Sequence, residues 1–157
     1  MDLVFSTDSL EPSRRYAAWQ GAICDVYVHV DVAADRRDDY EGFIRQAQFG
    51  AVSLTDVLLS EQHISRSKRH IAKLDKDCYY VELIQHGRVN VLQAGQTLLT
   101  NAGVGAIFSA AEAYELECVG KVRSLYLEIP RQAFADRFRK DRVPLAEAIL
   151  ARRAASA

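Results

Sequence analysis

The sequence has no excess of positive charge. Lys and Arg total 20 against 21 Asp and Glu, for a formal net charge of -1. A free-standing nucleic-acid binder draws most of its affinity from phosphate neutralisation, so that class is excluded for this stretch on its own. Cysteines are few and odd in number. Cys24, Cys78 and Cys118 lie far apart and fit neither a disulfide framework nor a paired zinc knuckle. Buried thiols in a reducing cytoplasm are the expectation. No run approaches the ~18–20 apolar residues of a membrane helix. Met1-Asp2-Leu3-Val4-Phe5-Ser6 has no basic stretch leading into an apolar one, so neither a signal peptide nor a membrane partner is expected.

Motifs for chemistry are also scarce. His29, His63, His70 and His86 are never one or two residues apart, so no strand offers two imidazoles on one face. No metal is expected, and no cofactor. There is no Gly-x-Ser-x-Gly elbow, and nothing in the sequence joins Cys78 to His86. Gly103-Val104-Gly105 lacks the third glycine and the helix start of a phosphate loop. The chain is therefore expected not to be an enzyme.

What is present suits one globular domain of 157 residues, 49% apolar and 26% charged. Pro12 with Tyr16, Trp19 and Ile23 predicts a helix over 12–25 with one apolar face. From Val26 to Ile129 the pattern is short strands. Residues 43–49 alternate, and Val52, Leu54 and Val57-Leu58-Leu59 follow. Tyr79 to Gln85, the turn His86-Gly87-Arg88 and Val89 to Leu92 read as a hairpin. Gln93-Ala94-Gly95-Gln96 is a second turn, and Tyr114 to Cys118 and Leu125 to Ile129 are two further strands. Glycines 42, 50, 87, 95, 103, 105 and 120 mark further turns. The whole predicts a mainly β sandwich or barrel. After Pro130-Arg131, residues Phe134, Phe138, Leu145 and Ile149 predict amphipathic helix interrupted near Pro144, with 151–157 frayed.

Two basic clusters stand out. Arg66-Ser67-Lys68-Arg69-His70 reads as an anion patch or as a soluble strand edge or loop. Arg137, Arg139, Lys140 and Arg142 read as a solvated helix face. A barrel without metal or nucleophile still has an interior in which a small molecule fits. Tyr79, Tyr80, Glu82, Gln85, Tyr114 and Tyr126 are its candidate polar and aromatic groups, with Trp19 as a lid.

The order of these signals resembles the N-terminal effector-binding and dimerisation domain of AraC-type transcription regulators, in their cupin-like branch. Carrying the resemblance are Phe5-Ser6-Thr7, Glu11 to Arg15 with Trp19, Ile64-Ser65-Arg66-Ser67, Tyr79 to Gly87, Val91 to Gly95, and Ser124 to Arg131. It runs from about Phe5 to Phe138. The chain departs from the usual Gly-Asp turn at Asn101 to Gly105, and from an Asp with a later Pro at Ser109 to Ala113.

The resemblance implies a cupin-like jelly-roll barrel over 1–130 and a helical segment for dimerisation over 131–157. It implies a small-molecule effector held by Trp19, Arg66, Tyr80, Glu82 and Tyr114, and a homodimer formed through Phe134, Phe138 and Leu145. DNA would be bound only through a helix-turn-helix domain outside this chain, since 19 residues after Phe138 are too few for one. Arg66 is the candidate for an anionic effector, with an ion pair to Asp56 or Glu61 as its other reading. Gln93 is expected to order its turn without touching ligand. A cupin-type metal-dependent enzyme and a ligand-free dimerisation module are the alternatives.

Overall fold

Pro12 starts the first helix as the spacing predicts. Helix α1, Pro12–Val26, has proline in its first turn and buries Trp19 and Ile23. The computed structural model describes residues 1–73, 76–135 and Ala146, and the backbone of 148–150.

Before α1 lies β1, Asp2–Ser6, a short strand that the sequence pattern did not show, because five residues with an exposed face carry no period. After α1 come β2 (Asp31–Ala33), β3 (Phe43–Phe49), β4 (Val52–Leu59) and β5 (Gln62–Arg66). Then follow α2 (Lys68–Lys73), β6 (Cys78–Gln93), β7 (Gln96–Thr100), β8 (Val104–Ser109) and β9 (Tyr114–Pro130). Helix α3 (Arg131–Ala135) and β10 (Ala148–Leu150) close the order. All pairings are antiparallel, and the main path runs β1-β3-β4-β9-β6-β8-β10. Strand β5 joins β2 to β9, and β7 pairs β6.

Several expectations are corrected. Tyr79 to Leu92 is not a hairpin: β6 is one 16-residue strand. The residues read as a turn, His86-Gly87-Arg88, are a bulge, with register shifts on either side of His86. Gly87 has φ +86°, and a Cβ there would lie 2.6 Å from the Lys121 carbonyl oxygen. Likewise the two strands read around Gly120 are one, β9. Arg88 pairs Val119, so the two bends lie beside each other and curl the sheet along one line. A sheet corner and a chain reversal both call for glycine, which is why the sequence pattern confused them.

Gly105 lies inside β8, where a Cβ would come 2.2 Å from the Glu82 carbonyl oxygen. Ile149 belongs to β10, opposite Gly105, and not to a helix. Lys68 to His70 of the basic cluster begin α2, not a strand edge or loop. The C-terminal basic cluster lies outside the described residues.

Alternation along the strands sorts the interior. Thr55, Val57 and Leu59 of β4, Gln62, Ile64 and Arg66 of β5, Tyr80, Glu82 and Ile84 of β6, and Tyr114, Leu116 and Cys118 of β9 are buried. Helix α1 covers the curl, with Trp19 between Phe5 (ring centroids 5.9 Å) and Tyr40 (5.3 Å). Among the described residues no helix is long and apolar enough to cross a membrane.

Candidate functional site

The chain leaves α1 at Val26 and turns into the barrel, placing Tyr27, Val28 and Val30 against the inward faces of the strands. A cavity of about 40 Å3 lies there, bounded also by Ile23, Val57, Leu59, Ile64, Tyr80, Phe108, Tyr114, Leu116 and Tyr126. Its wall is almost wholly apolar. One ordered water takes roughly 10–15 Å3 on the same measure, and a benzene-sized ligand roughly 150 Å3.

Four tyrosines face this space, and three have committed their hydroxyls. The Tyr27 hydroxyl lies 2.5 Å from Thr55 Oγ1. Tyr80 donates to Glu128 Oε1 at 2.8 Å, which Lys76 Nζ also meets at 2.5 Å. Tyr126 donates to Glu82 Oε1 at 2.9 Å. Burial holds all four phenols above their ordinary value. The rings pack edge-on or tilted, Phe108 lying 4.8 Å from Tyr114 and 5.5 Å from Tyr80.

Glu82 lies behind Tyr126 and does not line the cavity. It is fully buried, and desolvation raises its carboxyl from 4.5 to about 7, against the opposing pull of its hydrogen bonds with Thr100 and Tyr126. Thr100 Oγ1 is 2.9 Å from Glu82 Oε2 and 3.0 Å from the Val89 carbonyl oxygen. A hydroxyl has one proton. If Thr100 donates to Val89, a protonated Glu82 donates to Thr100 and the network is complete.

The other sequence candidates fall elsewhere. Trp19 is no lid: it is fully buried under α1, away from the cavity, with Nε1 donating to Gln62 Oε1 at 2.8 Å. Tyr79 faces outward and stacks on Phe134 at 4.9 Å, so Phe134 is buried within the chain. Gln85 is exposed. Phe138 and Leu145 lie outside the described residues. Gln93 ties its turn to β8, donating to Ser109 O at 2.8 Å and accepting from Ser109 N at 2.7 Å.

Arg66 has neither predicted ion pair. Asp56 is held by Arg123 at 3.0 Å, and Glu61 accepts from the Gly120 N–H at 2.8 Å. Arg66 donates instead to two backbone carbonyls, Ala110 from Nε and His29 from Nη1, both at 2.8 Å. Of the cavity residues, the sequence singled out only Tyr80, Tyr114 and Tyr126; Tyr27, Phe108 and the seven aliphatic residues of the wall were missed. An aromatic residue directly after an amphipathic helix was the available signal for Tyr27.

Among the described residues no group of three or more His, Cys, Asp or Glu is drawn together as metal ligands. The cysteines are free thiols, and burial pushes Cys78 up to about 11.

The family model of the AraC-binding-like domain matches residues 19–157. The chain belongs to that family. The match begins later than the resemblance read from the sequence and extends beyond it, to the last residue. The crystal structure of the AraC-like transcriptional activator CuxR superposes with a TM-score of 0.73 at 20% identity, covering 84% of this chain and 49% of that one. A protein described as uncharacterized in the nit 5' region of Bacillus sp. strain OxB-1 is 23% identical over 131 residues, 83% of this chain and 51% of that protein. A cupin domain from Schizosaccharomyces pombe gives a TM-score of 0.47 at 12% identity, covering 68% of this chain and 73% of that one. The chain spans about half the length of CuxR and of the Bacillus relative. The family and the mainly β fold, an antiparallel curled sheet, agree with what the sequence resemblance implied.

Proposed function

We propose that this AraC-binding-like domain senses a small molecule within a longer transcription regulator. The ligand binds inside the curled sheet without being chemically changed. Output passes through the C-terminal segment to a dimer and to a DNA-binding domain outside this chain. The supporting observation is the apolar cavity and the position of one wall residue. Phe108 lies on β8, and β8 pairs β10 near the C-terminus. A ligand that moves Phe108 acts on the strand that holds that segment.

The cavity is smaller than a ring-sized ligand. Binding therefore selects an expanded arrangement of the wall, and this differential affinity is what a sensor needs. The same small volume favours the second reading, a filled barrel serving dimerisation alone.

A thermal-shift screen of small aromatic and aliphatic compounds separates the two. A ligand at 100-fold over its Kd adds about 2.7 kcal/mol, or roughly 5–10 °C for a domain of this size. Val57→Ile adds one methylene to the wall and reduces the shift of every hit while leaving the unliganded midpoint within a few degrees. A screen with no hits favours the filled barrel. Hits unaffected by Val57→Ile place binding elsewhere.

A further inference from the structure

Among the described residues, Arg66 is a buried cation without a counter-charge. It is 1% exposed. Its Nε and Nη1 are spent on carbonyl oxygens, and Nη2 has no hydrogen-bond partner among the described residues. Among the described residues no carboxylate lies within ion-pair distance of it. A guanidinium does not escape this cost by losing its proton, since it stays charged at any pH a folded protein meets. An unpaired buried charge is among the most expensive groups a fold retains.

Its position connects it to the cavity. Arg66 lies on the inward face of β5, two residues beyond the wall residue Ile64, and pairs in register with Tyr114 of β9. The carbonyl that takes Nη1 belongs to His29, between the wall residues Val28 and Val30. Among the described residues Tyr114 is the one cavity tyrosine whose hydroxyl makes no hydrogen bond. Its ring borders the cavity and also an outer groove shared with Arg66, Ser67, Lys68 and Gln93. The Arg66 charge opposes the upward push of burial on Tyr114, as expected of near neighbours.

We propose that Arg66 and Tyr114 form an anion subsite where groove and cavity meet, and that the domain's ligands are small apolar monocarboxylates. This rests on the sensing role proposed above and names the chemistry of its ligand. The carboxylate takes the free Nη2 N–H groups and the Tyr114 O–H, and the apolar body enters among Ile23, Val30, Ile64, Phe108 and Leu116. A single anionic group is specified. The remaining wall offers no second free donor: Tyr27 is bonded to Thr55, Tyr80 to Glu128 and Tyr126 to Glu82, while Lys76 is paired with Glu128.

The test compares acids with their neutral amides on the purified protein. Benzoate, phenylacetate and isovalerate are titrated beside benzamide, phenylacetamide and isovaleramide, by calorimetry and thermal shift. At least one acid binds, and its amide binds at least tenfold more weakly. Tyr114→Phe, which removes one oxygen and no packing, keeps the fold and weakens that acid roughly tenfold, the loss expected for one hydrogen bond to a charged group. Arg66→Lys keeps the charge but not the fork and weakens it further. Equal binding of acid and amide overturns the anion subsite, as does a Tyr114→Phe protein with unchanged acid affinity. If only neutral compounds bind, the sensing role stands and this inference falls. If nothing in this panel or the wider screen binds, both fall.

Discussion

Glu82 is a carboxyl placed where water does not solvate it. Its neutral form persists up to about pH 7, whereas the unfolded chain ionises it from about 4.5 upward. Between those values the unfolded state has lost the proton and the folded state keeps it. Stability is therefore highest below the lower value, falls as pH rises through the window, and levels off above pH 7. The loss is up to roughly 3 kcal/mol. Glu82→Gln keeps the shape and both hydrogen bonds, its amide donating to Thr100 and accepting from Tyr126, and cannot ionise. We expect urea denaturation to show wild-type stability falling between about pH 4.5 and 7 and the variant nearly flat across that range. Parallel pH profiles for the two proteins would refute this. The sequence marked Glu82, Tyr80, Tyr114 and Tyr126 as unusual because polar groups interrupt apolar strands. It did not show that Glu82 sits behind the wall, since alternation gives the face of a residue and not its depth.

Among the elements, the hairpin of β6 and β7 carries the clearest backbone strain. Its two-residue loop is Ala94-Gly95, with φ of 53° and 73°. Gly95 takes a positive φ freely, but Ala94 does so against its own Cβ. Ala94 is exposed, so nothing else fixes its identity. Ala94→Asn supplies the residue type such turns prefer and is expected to raise unfolding stability by about 0.5–1 kcal/mol, read from the denaturation midpoint. An unchanged or lower midpoint would show that the strain is relieved elsewhere. This turn was legible in the sequence, as was α1 from Pro12 and the spacing of Trp19 and Ile23. Two other glycines, Gly87 and Gly120, were legible as special but not as bends within continuous strands. A hairpin and a bulged strand share their local composition, and only the partner strand β9, distant in sequence, tells them apart. The departure of β10 from a helical reading has the same origin. Ile149 fits a helix face by spacing, but β8 offers it an open edge at Gly105.

At the scale of the molecule, the balanced charge and the apolar interior are in keeping with the sensing role proposed above. The family membership was legible from the order of motifs, though no single motif carried it. The cavity was not, because its wall is assembled from α1, the segment after it and five strands. Self-association belongs to this scale. Phe134 is used within the chain against Tyr79, which leaves Phe138 and Leu145 as the sequence candidates for a contact between copies. Phe138→Asp is expected to shift a dimer towards monomer in analytical ultracentrifugation, and a strictly monomeric parent protein would refute the dimer.

The sheet hangs on β9. This one strand pairs β4, β5 and β6 along its length and is the last long strand among the described residues. During synthesis, everything from β1 to β8 therefore emerges before the strand that joins its pieces exists. Until residues 114–130 are free to pair, β4 and β5 present open edges and their inward apolar faces to the surroundings. On this topology the domain is expected to close late on the ribosome, once residues 114–130 have emerged to join β4, β5 and β6.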